Sequence, residues 1–396
     1  VRRPLAVGLF VTLASRLAAA ALVRLAPAWD GYFYARHAEQ LAAGLGYVSA
    51  DGAGTLRPTA FYPVGYPAAM AALLPLTHSA RLAAIGVNLV ASLVAVAAVV
   101  LVADRAAGPR VATVAGLVYA LYPGSLLWSA AAMTETLTGA LLVVAMAAAG
   151  SSRRGSSALA GLALGAAALV RPQSLVALPL VALGARSWRG RLGAVALAAL
   201  VALSVVAPWT VRNCARLDAC ALVSTNGGSN LLIGTFADAR GGYRRPRGAD
   251  GCATARGEVE RDRCMSRVAV ARIVEHPLRW ASLVPMKLAL TFGIEHDPAS
   301  YAFGDGVGYA LPWGTSLVAM LTAAWWALVA FAWRARSLGA ARDAGRFCAG
   351  ACGLSAMTHA VFLGTDRYHL TLVPVLAPVA AMGLVAWRDA RGARVV

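Results

Sequence analysis

Charged side chains that close apolar runs are the first places to seek chemistry in this chain. A charge at such an edge is costly unless it is solvated, paired or put to use. Asp30 ends the first apolar run, in WDGYFYARHAEQ. A carboxylate there suits a general base that takes a proton from a hydroxyl or amine; Asp before an aromatic helix is equally a good N-cap. Glu135, in MTET, opens a later apolar run. It reads either as a second working carboxylate or as a first-turn acid stabilised by the helix dipole. Arg57, Arg171, Arg212 and Arg367 lie at similar boundaries. Guanidinium groups bind phosphate oxygens in pairs and stabilise charge developing on a leaving phosphate. The alternative is that they snorkel to headgroups. Lys287, the only lysine, follows Arg279 and Trp280 in an apolar helix and reads as a phosphate contact or as an interfacial anchor. Tyr62 and Tyr66 suit the lining of an entrance, although interfacial tyrosines are common.

Weaker constellations follow. Glu295, His296 and Asp297 form a compact group that could join His37 around a divalent cation, but the spacing fits no standard zinc signature, and an acidic loop is the plain alternative. Asn226, Gly227, Gly228 and Asn230 make either a structural turn or one whose backbone N–H groups approach a ligand. Cys214, Cys220, Cys252 and Cys264 share one hydrophilic stretch, whereas Cys348 and Cys352 lie in an apolar run. In an oxidising compartment the four allow three pairings, of which Cys214–Cys220 with Cys252–Cys264 is the simplest; free thiols are the alternative.

The elements that must position these residues are membrane helices. The chain is 59% hydrophobic, 14% charged, with a mean hydropathy of +0.64; soluble chains carry about 25% charged residues. The net charge of +18 would suggest a nucleic-acid partner in a soluble protein. Here the arginines cluster in short segments between apolar runs, the positive-inside pattern, and nucleic acid is not expected. Ten spans are read, near residues 5–25, 82–103, 111–128, 134–150, 157–170, 173–185, 192–208, 311–333, 345–362 and 369–387. The short pair 157–170 and 173–185 reads as a shallow hairpin.

Placing the N-terminus in the cytoplasm puts the arginine-rich segments 104–110, 151–156, 186–191 and 334–344 there too, with Arg388, Arg391 and Arg394 at the C-terminal end. Only Asp104, Asp343 and Asp389 among the acids join them. Both termini are thus expected inside. No cleavable signal is evident, and Arg2 and Arg3 precede a run read as a retained span. Two long segments face outward, 26–81 and 209–310. The expectation is an all-α, polytopic single domain over 1–396, with juxtamembrane helices and a small outward cap.

An Asp closing span one, a Tyr-rich helix, Gly-Tyr, and then RPTAFYPVGYP resemble the GT-C glycosyltransferases, in particular the bacterial branch related to protein O-mannosyltransferases and the aminoarabinose transferases of lipid A. MTET, LVRPQ, PWTVRN, STNGGSNLLIG, HPLRW and DRYHL follow in the matching order. The resemblance covers nearly the whole chain. It implies a GT-C fold in a bacterial inner membrane and a hexosyl or pentosyl donor on a polyprenyl phosphate. It further implies transfer with inversion to a glycan, lipid or protein acceptor on the outer face, and Asp30 as base. Many relatives carry a second acid beside that Asp. Here Gly31 follows, leaving Glu135 as the best helper. A transporter or lipid flippase is the competing reading, opposed by short inner loops and the absence of an evident repeat; a non-catalytic scaffold is a third.

Overall fold

The computed structural model describes residues 2–23, 26–51, 54–151, 155–185, 187–247, 250–304, 313–339 and 342–393. Arg394, and parts of segments 151–156, 186–191 and 334–344, lie outside them. Every apolar segment read as a span is helical within these residues. α1 is Arg2–Leu22. The first outer segment supplies α2, Asp30–Ala42, a two-stranded antiparallel hairpin of β1, Val48–Ala50, and β2, Leu56–Pro58, and then α3, Gly65–Thr77. That hairpin is the one departure from an all-helical fold among the described residues.

Spans two and three form a tight hairpin. α4, Ala80–Ala120, is broken at Gly108, whose φ of 81° favours glycine, with Pro109 restarting the helix. A Cβ on Gly116 would lie 3.1 Å from the Val100 side chain, so the two arms run back along each other. α5, Pro123–Trp128, α6, Glu135–Ala149, and α7, Ser156–Val170, follow. The next segment, Pro172–Gly184, winds as a 3-10 helix, with Pro179 unable to donate an internal hydrogen bond. At a rise of about 2.0 Å per residue it reaches roughly 26 Å, so it is longer than the shallow arm the sequence suggests.

α8, Trp188–Arg216, leads into the second outer segment, which holds α9, Gly227–Ile233, α10, Glu258–Glu275, α11, Pro277–Phe292, and α12, Asp297–Phe303. α13, Gly314–Arg334, and α14, Arg342–Val361, precede a 3-10 turn, Asp366–Leu372, that runs into α15, Val373–Gly392. Among the described residues five helices are long and apolar enough to cross a membrane, and three shorter apolar ones accompany them. α15 is buried from Val373 through Gly383 and forms the centre of the bundle.

The threading is consistent end to end. Arg105, Gly150, Gly184 and Arg342 line one cavity, and Arg110 meets Asp389 at 2.9 Å. The arginine-rich helix ends therefore gather at one end of the bundle, opposite Asp30, Glu135 and Arg171. At that opposite end Glu258, opening α10, ties the two outer segments together. It accepts from Ala60 N and Thr225 Oγ1, both at 2.7 Å, and from Thr59 Oγ1 at 2.5 Å. Disulfides Cys214–Cys220 and Cys252–Cys264 are formed.

Candidate active site

Asp30 is the first residue of α2 and does not cap it; Trp29 holds the N-cap position with φ 50° and no side-chain cap bond. A positive φ at a bulky residue is unfavourable, and here it turns the chain sharply where α1 gives way to the outer segment. Gly31 then lets α2 press on the loop before α6. A Cβ there would lie 2.7 Å from Ala132 O and 3.1 Å from the Tyr301 hydroxyl. The acid that many relatives carry beside the Asp therefore has no room.

The Asp30 carboxylate faces a cavity of about 560 Å³ that gathers residues from widely separated parts of the chain. Arg367 Nη2, from the turn before α15, is 2.7 Å from Asp30 Oδ2. The Tyr62 hydroxyl donates to Asp30 Oδ1 at 3.2 Å. Burial first, and then the neighbouring Asp30 charge, push the Tyr62 pKa up, so the phenol stays a donor. Arg171, at the tip between α7 and the long 3-10 helix, lines the same cavity, as do Asn226, Ser229 and Asn230 of the α9 turn. Tyr368 presents its ring to Arg171 and Arg367, at 5.0 and 5.4 Å from its centroid.

Glu135 stands behind this wall, 1% exposed. It pairs with Arg171 Nη2, lies 3.9 Å from Arg367 Nε, and accepts from Trp128 Nε1 at 3.0 Å. Arg171 Nε also donates to Thr134 Oγ1 at 2.8 Å. One buried carboxylate thus anchors both guanidinium groups beside Asp30.

Three residues grouped with these in the sequence are elsewhere. Arg57 is exposed on β2 and pairs with Asp51 at 2.7 Å. Arg212 clamps the first outer segment, donating to Tyr47 O at 2.7 Å and Thr59 O at 2.8 Å. Lys287 is fully buried and donates to Ala360 O and Val361 O at 3.0 and 3.1 Å; burial pushes its pKa down to about 8. None of the three lines the cavity. Tyr66 is buried as well and donates to Asn88 at 3.2 Å.

The four residues considered for a cation do not converge. His37 contacts Val48 O at 3.0 Å and stacks on Tyr47. Glu295 is buried against Tyr122 and His369, and His296 meets Ser300 Oγ at 2.8 Å. Asp297 accepts from Thr365. Among the described residues no three His, Cys, Asp or Glu side chains form a metal-binding group. The donor set therefore does not fit a divalent cation. Asp297 does line the cavity, giving it a second carboxylate from a different segment than the sequence suggests. Tyr243 and Thr365 also line it, and neither carries any signal in the sequence beyond its polarity.

No protein family matches the sequence, and no curated protein does. The fold is nevertheless shared with solved structures. The apo oligosaccharyltransferase of Archaeoglobus fulgidus superposes over 96% of this chain and 50% of its own, at a TM-score of 0.56 and 14% identity. The same archaeal enzyme, AglB, in complex with an inhibitory peptide and a dolichol-phosphate, covers the same shares at a TM-score of 0.54 and 15% identity. ArnT from Cupriavidus metallidurans bound to undecaprenyl phosphate is a looser match, with a TM-score of 0.45, 16% identity and 96% and 77% coverage. The chain spans about half the length of the archaeal enzyme. The fold is the GT-C membrane fold that the sequence resemblance implies.

Proposed function

We propose that this chain is a glycosyltransferase that moves a sugar from a polyprenyl-phosphate carrier to an acceptor at the outer face of a bacterial inner membrane, with both termini inside. The observation that carries the reading is the meeting of Asp30, Arg367 and Arg171 in one cavity at the end of the bundle opposite the arginine-rich helix ends. The shared fold with AglB, a protein described with bound dolichol-phosphate, supports it.

In this reaction the acceptor O–H or N–H approaches the anomeric carbon of the donor. Asp30 takes the proton as the new bond forms, and the bond from the anomeric carbon to the phosphate oxygen breaks. The electron pair leaves with the polyprenyl phosphate, whose added charge Arg171 and Arg367 stabilise. Attack opposite the leaving group inverts the anomeric centre. Arg367 bridges the two halves, since it contacts the base and faces the phosphate. Tyr62 orients Asp30. Glu135 works through the arginines, and Arg212 holds the segment that carries Tyr62.

The test is transfer in proteoliposomes, with a panel of polyprenyl-phosphate hexoses and pentoses as donors and membrane extract as acceptor. Release of free polyprenyl phosphate coupled to a labelled product is expected. Uptake of a labelled solute with no cleavage of any donor would overturn the reading in favour of transport.

A further inference from the structure

A second cavity, of about 420 Å³, opens at the corner where α10 turns into α11. It is separate from the first. Ile233 and Tyr243 line the first, while Phe236 and Arg244 line the second, so the segment between α9 and Arg244 is a shared wall. Two of its cations are committed. Arg244 meets Asp250 at 2.9 Å and Asp238 at 3.1 Å, with its guanidinium 3.5 Å from the centroid of the Phe236 ring. Arg272 lies 3.8 Å from Asp250 and 5.3 Å from the same ring.

Two further charged groups lining this cavity are uncommitted. Arg279 and Glu275 flank the helix break at His276, and among the described residues neither forms an ion pair or side-chain hydrogen bond. Trp280 also lines it, and its indole Nε1 is buried without a hydrogen-bond partner. An unused cation and an unused anion in one concavity match a ligand that carries both signs of charge. Beside the cavity Val274 is 72% exposed and Leu278 84% exposed. Apolar side chains this open, next to a cavity with a Trp and an Arg, suit hydrocarbon alongside a headgroup.

We propose that this cavity binds the zwitterionic headgroup of an aminophospholipid, its phosphate on Arg279 and its ammonium on Glu275, with the acyl chains along Val274 and Leu278. The site is independent of the transfer reaction and needs no residue of the first cavity.

The experiment is lipid binding to delipidated protein by native mass spectrometry, with thermal stabilisation as a second readout. The probes are phosphatidylethanolamine, phosphatidylglycerol and water-soluble phosphoethanolamine. Wild type should prefer phosphatidylethanolamine. Arg279→Ala should weaken that binding about tenfold, the loss of one charge-assisted contact. Glu275→Gln should abolish the preference over phosphatidylglycerol and keep binding to both. Asp30→Asn should bind as wild type does, which separates this site from the reaction. Equal binding of the two lipids by wild type, or an Arg279→Ala protein with intact preference, would overturn the proposal. Protection by phosphoethanolamine alone at the level of the lipid would overturn the membrane source.

Discussion

The Asp30 carboxylate lies 2.7 Å from Arg367 Nη2, across 337 residues of sequence, so the proposed base and a proposed phosphate ligand form one ion pair. In the proposed reaction Arg367 contacts both Asp30 and the donor phosphate, so the two share one guanidinium. Asp30→Asn keeps the shape and a hydrogen bond to Tyr62 and removes the base. Transfer is expected to fall by about 10²- to 10⁴-fold, the range for loss of a general base, with normal protein levels. Initial rates in proteoliposomes measure this. Survival of full transfer in Asp30→Asn would remove Asp30 from catalysis.

Glu135 is expected to matter through charge balance. Replacing it by Gln leaves Arg171 without its buried counter-charge, and breaking a buried pair costs about 3 to 5 kcal/mol. The expected signature is a lowered unfolding midpoint together with weaker donor binding, read as a raised KM. A residue acting as a second base would instead lose kcat with an unchanged midpoint, so the two readouts together assign the role.

The residues legible in the sequence share one property: they interrupt apolar runs. A charge in that position is costly in lipid, and Asp30, Glu135, Arg171 and Arg367 do come together. The same signal also drew in Arg57, Arg212 and Lys287. Their partners are Asp51, the carbonyls of Tyr47 and Thr59, and the last carbonyls of α14, and nothing in local composition says which distant carbonyl a side chain will reach. Asp297 and Tyr243 reach the cavity only because the two outer segments fold over it, a long-range event with no local mark. The apolar, span-forming helices were legible from hydropathy. The 3-10 winding of Pro172–Gly184 was not, although Pro179 within a short apolar run was its one available sign.

Gly31 offers a test of that packing. Gly31→Glu would restore a paired acid by sequence, but its Cβ would meet Ala132 O at 2.7 Å. Overpacking of this kind costs about 1 to 3 kcal/mol. The variant is expected to unfold at lower temperature and to transfer more slowly than wild type. Gly31→Ala should show the smaller part of both effects, since it adds the Cβ alone. A faster, equally stable Gly31→Glu protein would mean that α2 can move away from the loop before α6.

His37 predicts how the first outer segment responds to acid. Burial lowers its pKa from 6.5, against smaller opposing contributions from Gln40 and Val48 O. The unfolded chain therefore binds a proton more readily than the folded one. The stability tied to neutral His37 is complete above pH 6.5 and is lost as pH falls through the depressed folded value. The unfolding midpoint should drop between pH 7.5 and 5.5, and His37→Gln, neutral throughout, should flatten that slope. Equal slopes in the two proteins would assign the acid sensitivity to another group.

The disulfides test which side the cap faces. Cys214–Cys220 and Cys252–Cys264 close loops with sequence separations of 6 and 12 in the outer segment, and a bond of the second kind contributes about 2 to 3 kcal/mol by constraining the unfolded chain. Such bonds persist in an oxidising compartment and are rare in the cytoplasm. In intact spheroplasts all four of these cysteines should resist a membrane-impermeant maleimide until a mild reductant is added, and then label without lysis. Cys252→Ser should leave Cys264 free to label at once. Labelling that appears only after the membrane is opened would put the cap, and the cavity beside Asp30, on the cytoplasmic side, where the arginine distribution argues against it. Cys348 and Cys352 sit in α14 with Cys348 buried, so they serve as the internal control that stays unlabelled in both conditions.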